Sequence, residues 1–285
     1  METQLDNPLV KARGLRKNYG AKSVLNGIDL DITRGKIVGL IGQNGAGKTT
    51  ALKCILGLAP YEGELEVLGL QPNKDRAKLM QHVCFIADTA ILPRWLVVKN
   101  AIDFMDKMHP KFDREKAQAF LAKTDIKPNN SVGKLSKGMI TQLHLALVMA
   151  IDVPLLVLDE PTLGLDIIFR KQFYNSLLDD YFDENRTILI TTHQVEEIET
   201  LLTDLVFIKQ GNIILNTPME DLAEQYIEVQ VKTDKLEKAR ALNPISEHGS
   251  IGRTQFIFEG GDFEAIRALG ESRTPSISDL FIAKM

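Results

Sequence analysis

The stretch Gly42-Gln43-Asn44-Gly45-Ala46-Gly47-Lys48-Thr49 constrains the fold more than any other part of the chain. It has the spacing G-x-x-x-x-G-K-[ST]. Glycines in such a loop let the backbone turn tightly and aim successive N–H groups at phosphate oxygens. The flanks fit. Residues 37–41, Ile-Val-Gly-Leu-Ile, form an apolar run suited to a strand buried on both faces of a parallel sheet. A helix is expected from about Thr49 to Leu58, and its positive end adds to the anion site. Lys48 is then placed to reach β- and γ-phosphates, and Thr49 offers a hydroxyl to Mg²⁺.

Composition narrows the class. The 285 residues are 44% hydrophobic and 25% charged, which excludes a disordered or fibrous chain and allows one large or two modest domains. The 34 basic and 38 acidic residues leave a net charge of −4, without the basic excess of a nucleic-acid binder. Two cysteines, Cys54 and Cys84, exclude a disulfide scaffold and fit a reducing cytosol. The most apolar stretch, Leu143 to Leu158, is interrupted by Asp152 and Pro154. It falls short of the roughly 18 apolar residues a spanning helix needs. The N-terminal residues lack the basic and apolar regions of a secretory signal.

Two more apolar runs, Pro154–Leu158 and Thr187–Thr192, match the one before the phosphate loop. Helices are expected from near Ile168 and near Gln194, so strands and helices alternate as in an α/β core. Leu9–Tyr19, Gly27–Thr33, Gly63–Leu68 and Val83–Ala87 read as further strands. Leu205–Ile208 and Asn212–Leu215 read as a hairpin turning at Gln210-Gly211. Residues from about Leu96 to Ile151 carry helical spacing, with Asp113 as an N-cap. After about Gln225 the composition shifts. Strand patterns at Ile227–Lys232 and Thr254–Phe258 and a short helix over Asp262–Leu269 describe a small α+β appendage. Residues 1–225 and 226–285 are therefore expected to be separate units.

The second apolar run ends in two carboxylates, Asp159 and Glu160. A metal ligand beside a general base at a strand's C-terminal end suits nucleotide hydrolysis, with Asp159 in the Mg²⁺ shell and Glu160 toward an attacking water. Between the motifs, Leu135-Ser136-Lys137-Gly138-Met139 opens a helix whose N-terminus is an anion site.

The phosphate loop, LSKGM at 135–139, LVLDEP at 156–161, Gly164-Leu165-Asp166 and Thr192-His193 occur in this order with fitting gaps. Over roughly residues 8–225 the chain resembles the ATP-binding subunit of ABC transporters. The resemblance implies an α/β fold: an ABC-type P-loop ATPase with a RecA-like core, an antiparallel β subdomain and a helical subdomain at about 89–151. It implies ATP and Mg²⁺ as cofactors. Tyr19 would stack on adenine. Gly42, Asn44, Gly45, Ala46, Gly47, Lys48, Thr49 and Thr50 would hold the phosphates. Ser136 and Gly138 would bind the γ-phosphate of ATP on the other protomer, and Asp166 would communicate between the two sites. His193 would contact the γ-phosphate and the attacking water. Lys48, Glu160 and His193 would carry catalysis. The tail at 275–282 is similar to the ending of exporter ATPases of the drug, antibiotic and sodium type.

The resemblance further implies an integral-membrane permease partner. It implies a homodimer or pairing with a second ATP-binding subunit, and a cytoplasmic location on the inner face of the membrane, with no nucleic acid bound. A soluble ABC ATPase acting on ribosomes or DNA is the alternative. Such chains usually carry two ATPase units or a long coiled coil, and neither is present here. A P-loop kinase or GTPase explains neither LSKGM nor His193. Two departures stand out. Lys137 and Met139 replace the usual glycine and glutamine of the signature, and Asp88 stands where a metal-linking glutamine is usual, keeping an oxygen ligand for a hard cation. Trp95, beside Arg94, belongs either to the surface that receives the membrane partner or to the interior of the helical subdomain.

Overall fold

A computed structural model describes residues 8–86, 92–250 and 252–285. Among these residues thirteen strands form three sheets. In chain order the strands are β1 (Val10–Tyr19), β2 (Lys22–Ile32), β3 (Ile37–Ile41), β4 (Glu62–Val67), β5 (Val83–Ile86), β6 (Leu155–Asp159) and β7 (Thr187–Thr192). They continue with β8 (Asp204–Lys209), β9 (Asn212–Pro218), β10 (Tyr226–Val231), β11 (Ser246–Ser250), β12 (Arg253–Glu259) and β13 (Gly270–Arg273).

The central sheet has the order β5-β6-β7-β3-β8-β9. Its first five strands run parallel, and β9 folds back antiparallel on β8. The three apolar runs seen in the sequence are its middle strands β6, β7 and β3. Every residue of those three is buried, as a sheet covered on both faces requires. One face packs with Phe173, Tyr174, Leu177 and Tyr181, the other with Leu52, Ile55 and the antiparallel sheet β2-β1-β4. Between β5 and β6 the helices Val98–Met108, Arg114–Ala122 and Lys137–Met149 enclose their own core of Val98, Ile102, Leu121, Leu143 and Leu147. The Asp113 side chain accepts from the Lys116 backbone N–H at 3.0 Å, the expected N-cap.

The hairpin turn between β8 and β9 does more than connect strands. The Gly211 N–H donates to the Ala46 carbonyl of the phosphate loop and the Gly211 carbonyl accepts from Asn26 N–H, both at 2.9 Å. A Cβ at Gly211 would lie 2.3 Å from the Val24 carbonyl, so only glycine fits this three-way junction.

Residues after 225 contribute a four-stranded antiparallel sheet, β11-β12-β10-β13. Alternation exposes β10 and β12 in the sequence, whereas β11 and β13 carry no such pattern. The helix Ile277–Lys284 leaves this sheet and packs on the central one. Phe281 meets Phe207 edge-on at 5.3 Å, and Lys209 Nζ donates to the Lys284 carbonyl at 3.0 Å. One expected helix is absent. From Gln194 the chain forms a 3₁₀ turn, Val195–Glu197, whose Glu197 carboxylate is held by Arg170 from another helix. An unexpected helix, Pro72–Leu79, lies between β4 and β5.

Both cysteines are buried. Burial pushes the Cys54 thiol up to about 11 and the Cys84 thiol up to about 12. Neither side chain presents a thiolate near neutrality. Alkylation at pH 8 should leave both unlabelled in the native chain and label both after unfolding, as read by mass spectrometry.

Candidate ATP site

Parallel pairing builds the site. Register sets Ile41 opposite Thr192 and Asp159 opposite Thr191, so the loops leaving β3, β6 and β7 emerge side by side at one sheet edge. The phosphate loop leaves β3 and runs into the helix Lys48–Ile55. Gly45 and Gly47 have φ of 82° and 116°, which favour glycine. A Cβ at Gly42 would lie 2.4 Å from the Ile208 carbonyl, so the loop is pressed against β8. Ala46 and Gly47 are buried, Thr50 is half-buried, and Asn44, Gly45 and Thr49 are exposed.

Lys48 lies under this loop. Its Nζ donates to the Gly42 carbonyl at 2.6 Å and the Gln43 carbonyl at 3.3 Å, and stands 3.9 Å from Glu160 Oε1. Burial pulls the ammonium below its ordinary value, against the opposing pull of Glu160 and Asp159. An anion beside this loop would favour the charged form that burial disfavours.

Asp159 closes β6 and is 1% exposed. Its Oδ1 accepts from the Thr191 hydroxyl. The sequence did not single out Thr191, and strand register supplies it. Glu160 is outside the strand, in the left-handed region with φ 49°. Such a backbone costs about 1–2 kcal/mol for a residue with a Cβ. It is this turn, rather than strand alternation, that separates the two carboxylates. The turn brings Glu160 Oε2 to 2.9 Å from His193 Nδ1 and holds the Glu160 N–H on the Thr191 carbonyl at 3.0 Å. Lys48, Asp159, Glu160 and His193 are thus one cluster.

The other sequence candidates stand apart from it. Ser136 caps the helix Lys137–Met149, its Oγ accepting from Met139 N–H at 3.2 Å. Gly138 faces the Gly164 carbonyl, 3.8 Å from where its Cβ would be. Asp166 caps the next helix, Ile167–Ser176, accepting from Ile168 and Phe169 N–H at 3.0 and 3.1 Å. Among the described residues no hydrogen bond or ion pair joins Ser136, Gly138 or Asp166 to the phosphate loop. Tyr19 is half exposed with Lys17 Nζ 4.7 Å above its ring. Trp95 is 78% exposed, so of its two readings the interior one is excluded. Asp88 lies outside the described residues.

Removing the Thr191 hydroxyl strands a buried carboxylate. Thr191→Val should lower the unfolding free energy by about 2 kcal/mol, read from urea unfolding. Unchanged stability would show that Asp159 does not depend on this partner.

Comparison with known proteins shows the family. A family model described as ABC transporter matches residues 25–163. "Nod factor export ATP-binding protein I" of Cupriavidus pinatubonensis is 32% identical over 96% of this chain and 90% of its own length. "ABC transporter ATP-binding protein YtrB" of Bacillus subtilis is 28% identical over 79% and 77% of the two chains. A structure of the "ATP binding subunit of ABC transporter" superposes with a TM-score of 0.70 at 22% identity, over 76% of this chain and 92% of the other. That likeness carries the fold. With the phosphate loop, the Asp159–Glu160 pair and His193 assembled at one sheet edge, this chain belongs to the ATP-binding proteins of ABC transporters, the family that hydrolyses ATP to power transport.

Proposed function

We propose that this chain is the ATPase of an exporter, working as a pair of ATP-binding subunits beneath a separate membrane permease. The observation that carries the reading is the Glu160 carboxylate. It stands between His193 at 2.9 Å and Lys48 at 3.9 Å, just beyond a buried Asp159. Glu160 takes the proton of the attacking water, and His193 steadies that water and the γ-phosphate. Lys48 exchanges its two backbone carbonyls for phosphate oxygens and offsets the charge that develops. The adenine stacks on Tyr19, and the backbone from Gly42 to Thr50 cradles the phosphates.

The donor set fits Mg²⁺. Among the described residues no group of three or more His, Cys, Asp or Glu gathers. Mg²⁺ would be held by the buried Asp159 and the Thr49 hydroxyl, both oxygen donors of the kind this hard cation takes together with phosphate and water. Asp88 is the further candidate in that shell.

Ser136, Gly138 and Asp166 lie off the phosphate loop within one chain, which supports their acting on ATP held by a second copy. Among the described residues no helix is long and apolar enough to cross a membrane, so the transported molecule needs another protein to carry it. The exposed Trp95 beside Arg94 suits the contact with that permease. Export is favoured by the relative in Cupriavidus pinatubonensis, a Nod factor export ATP-binding protein. We assign ATPase function to residues 1–225, with the helical subdomain at about 89–151, and an accessory role to 226–285, on the inner face of the membrane.

Lys48→Ala should reduce ATP affinity at least about 100-fold, read by a fluorescent nucleotide, since a phosphate-binding cation is lost. Normal affinity would overturn the placement of the phosphates. Tagged Glu160→Gln chain with ATP should carry a multi-span protein out of solubilised membranes. Recovery with ribosomes or DNA instead would favour the non-transport alternative.

A further inference from the structure

The loop bearing Asp166 and the loop bearing His193 are joined a second time, away from the reacting atoms. Arg170 is in the first turn of the helix Ile167–Ser176 that Asp166 caps. Its Nε donates to the Leu165 carbonyl at 2.8 Å, gripping the backbone next to Asp166. Its Nη1 donates to Gln194 Oε1 at 2.7 Å and to Glu197 Oε1. Gln194 follows His193 directly, and its own N–H is held by the Thr192 hydroxyl at 3.0 Å. Glu197 closes the 3₁₀ turn, and its second oxygen is buried without a hydrogen-bond partner, so Arg170 is what holds this carboxylate. Four residues on, the Tyr174 hydroxyl meets Thr162 Oγ1 at 3.2 Å and fixes the other end of the 160–166 loop.

We propose that Arg170 is a positioning residue that makes the Asp166 loop and the His193 loop move as one piece. The inference rests on the roles given above to Asp166 and His193. One planar guanidinium points N–H groups in two fixed directions, one toward Leu165 and one toward Gln194 and Glu197. Displacing Asp166 by contact with a second copy therefore drags the segment on which His193 is mounted. Among the described residues the one side-chain hydrogen bond of His193 is to Glu160 Oε2, which leaves Oε1 for water. Arg170 sets where the segment carrying the imidazole sits. It touches no phosphate in this account, so ATP binding does not need it.

Lysine separates this role from simple ion pairing. It keeps a cation for Glu197 but puts one freely rotating nitrogen where arginine has two held in a fixed plane. Arg170→Lys should lower kcat by about 10- to 100-fold, the scale of a misplaced reacting group. The KM for ATP and the thermal midpoint should stay within about twofold and about 2 °C of the unaltered chain. Arg170→Gln, which loses the cation as well, should show the same kcat loss. Full kcat in Arg170→Lys would overturn the proposal, because charge alone would then suffice. A kcat loss matched by weaker ATP binding or a lower midpoint would also overturn it, because the residue would then be merely structural. Glu160→Gln is run beside them. Unimpaired turnover there would sink the underlying reading of the site, whereas its loss together with full turnover in Arg170→Lys sinks only the role of Arg170.

Discussion

The parallel register of β3, β6 and β7 is the constraint on which the rest depends. Pairing Ile41 with Thr192 and Asp159 with Thr191 brings three loops to one edge. The candidate residues are then divided among them: the glycine-rich loop and Lys48 after β3, the two carboxylates at the end of β6 and the histidine after β7. The fixed side of the site is dry, with Asp159 at 1% and Lys48 at 6% exposure. Glu160 and His193 sit toward solvent, where a water has to arrive. A slip of one residue in either pairing would move Asp159 off the Thr191 hydroxyl and turn the apolar faces of the strands over.

The periphery is tied to that edge. The Gly211 turn holds the phosphate loop through Ala46. The antiparallel sheet meets the same turn through Asn26. The C-terminal helix reaches the segment after His193, where Ile277 N–H donates to Glu199 Oε1 at 3.0 Å. Its N-terminal side is anchored by Arg273, whose guanidinium pairs with the fully buried Glu228 at 2.8 Å and 3.1 Å. Residues beyond 225 are thus tied to the segment that follows His193.

The core was the most legible part of the sequence, for physical reasons. Strands buried on both faces must be apolar throughout, and a loop that wraps phosphate must carry glycine at fixed places. Those demands are local and leave a mark. The features that escaped are set by distant partners. Thr191 matters because register sets it against Asp159, and Arg170 because folding brings Gln194 and Glu197 to it. The expected helix at 194 is a 3₁₀ turn whose Glu197 pairs with Arg170 of a distant helix, a partner the local pattern does not show. Glu160 was legible as a carboxylate, but its left-handed backbone was not. Exposure of Trp95 likewise needed the fold, since an aromatic beside a helical segment suits core and surface alike.

The proposed pairing requires that one chain hold half of each ATP site and that a second copy supply Ser136 and Gly138. Light scattering on Glu160→Gln chain tests it most directly. With ATP and Mg²⁺ the particle mass should double, and a second substitution, Ser136→Arg, should abolish that doubling without weakening ATP binding to the single chain. A chain that binds ATP and keeps the mass of one copy at every concentration tested would contradict it.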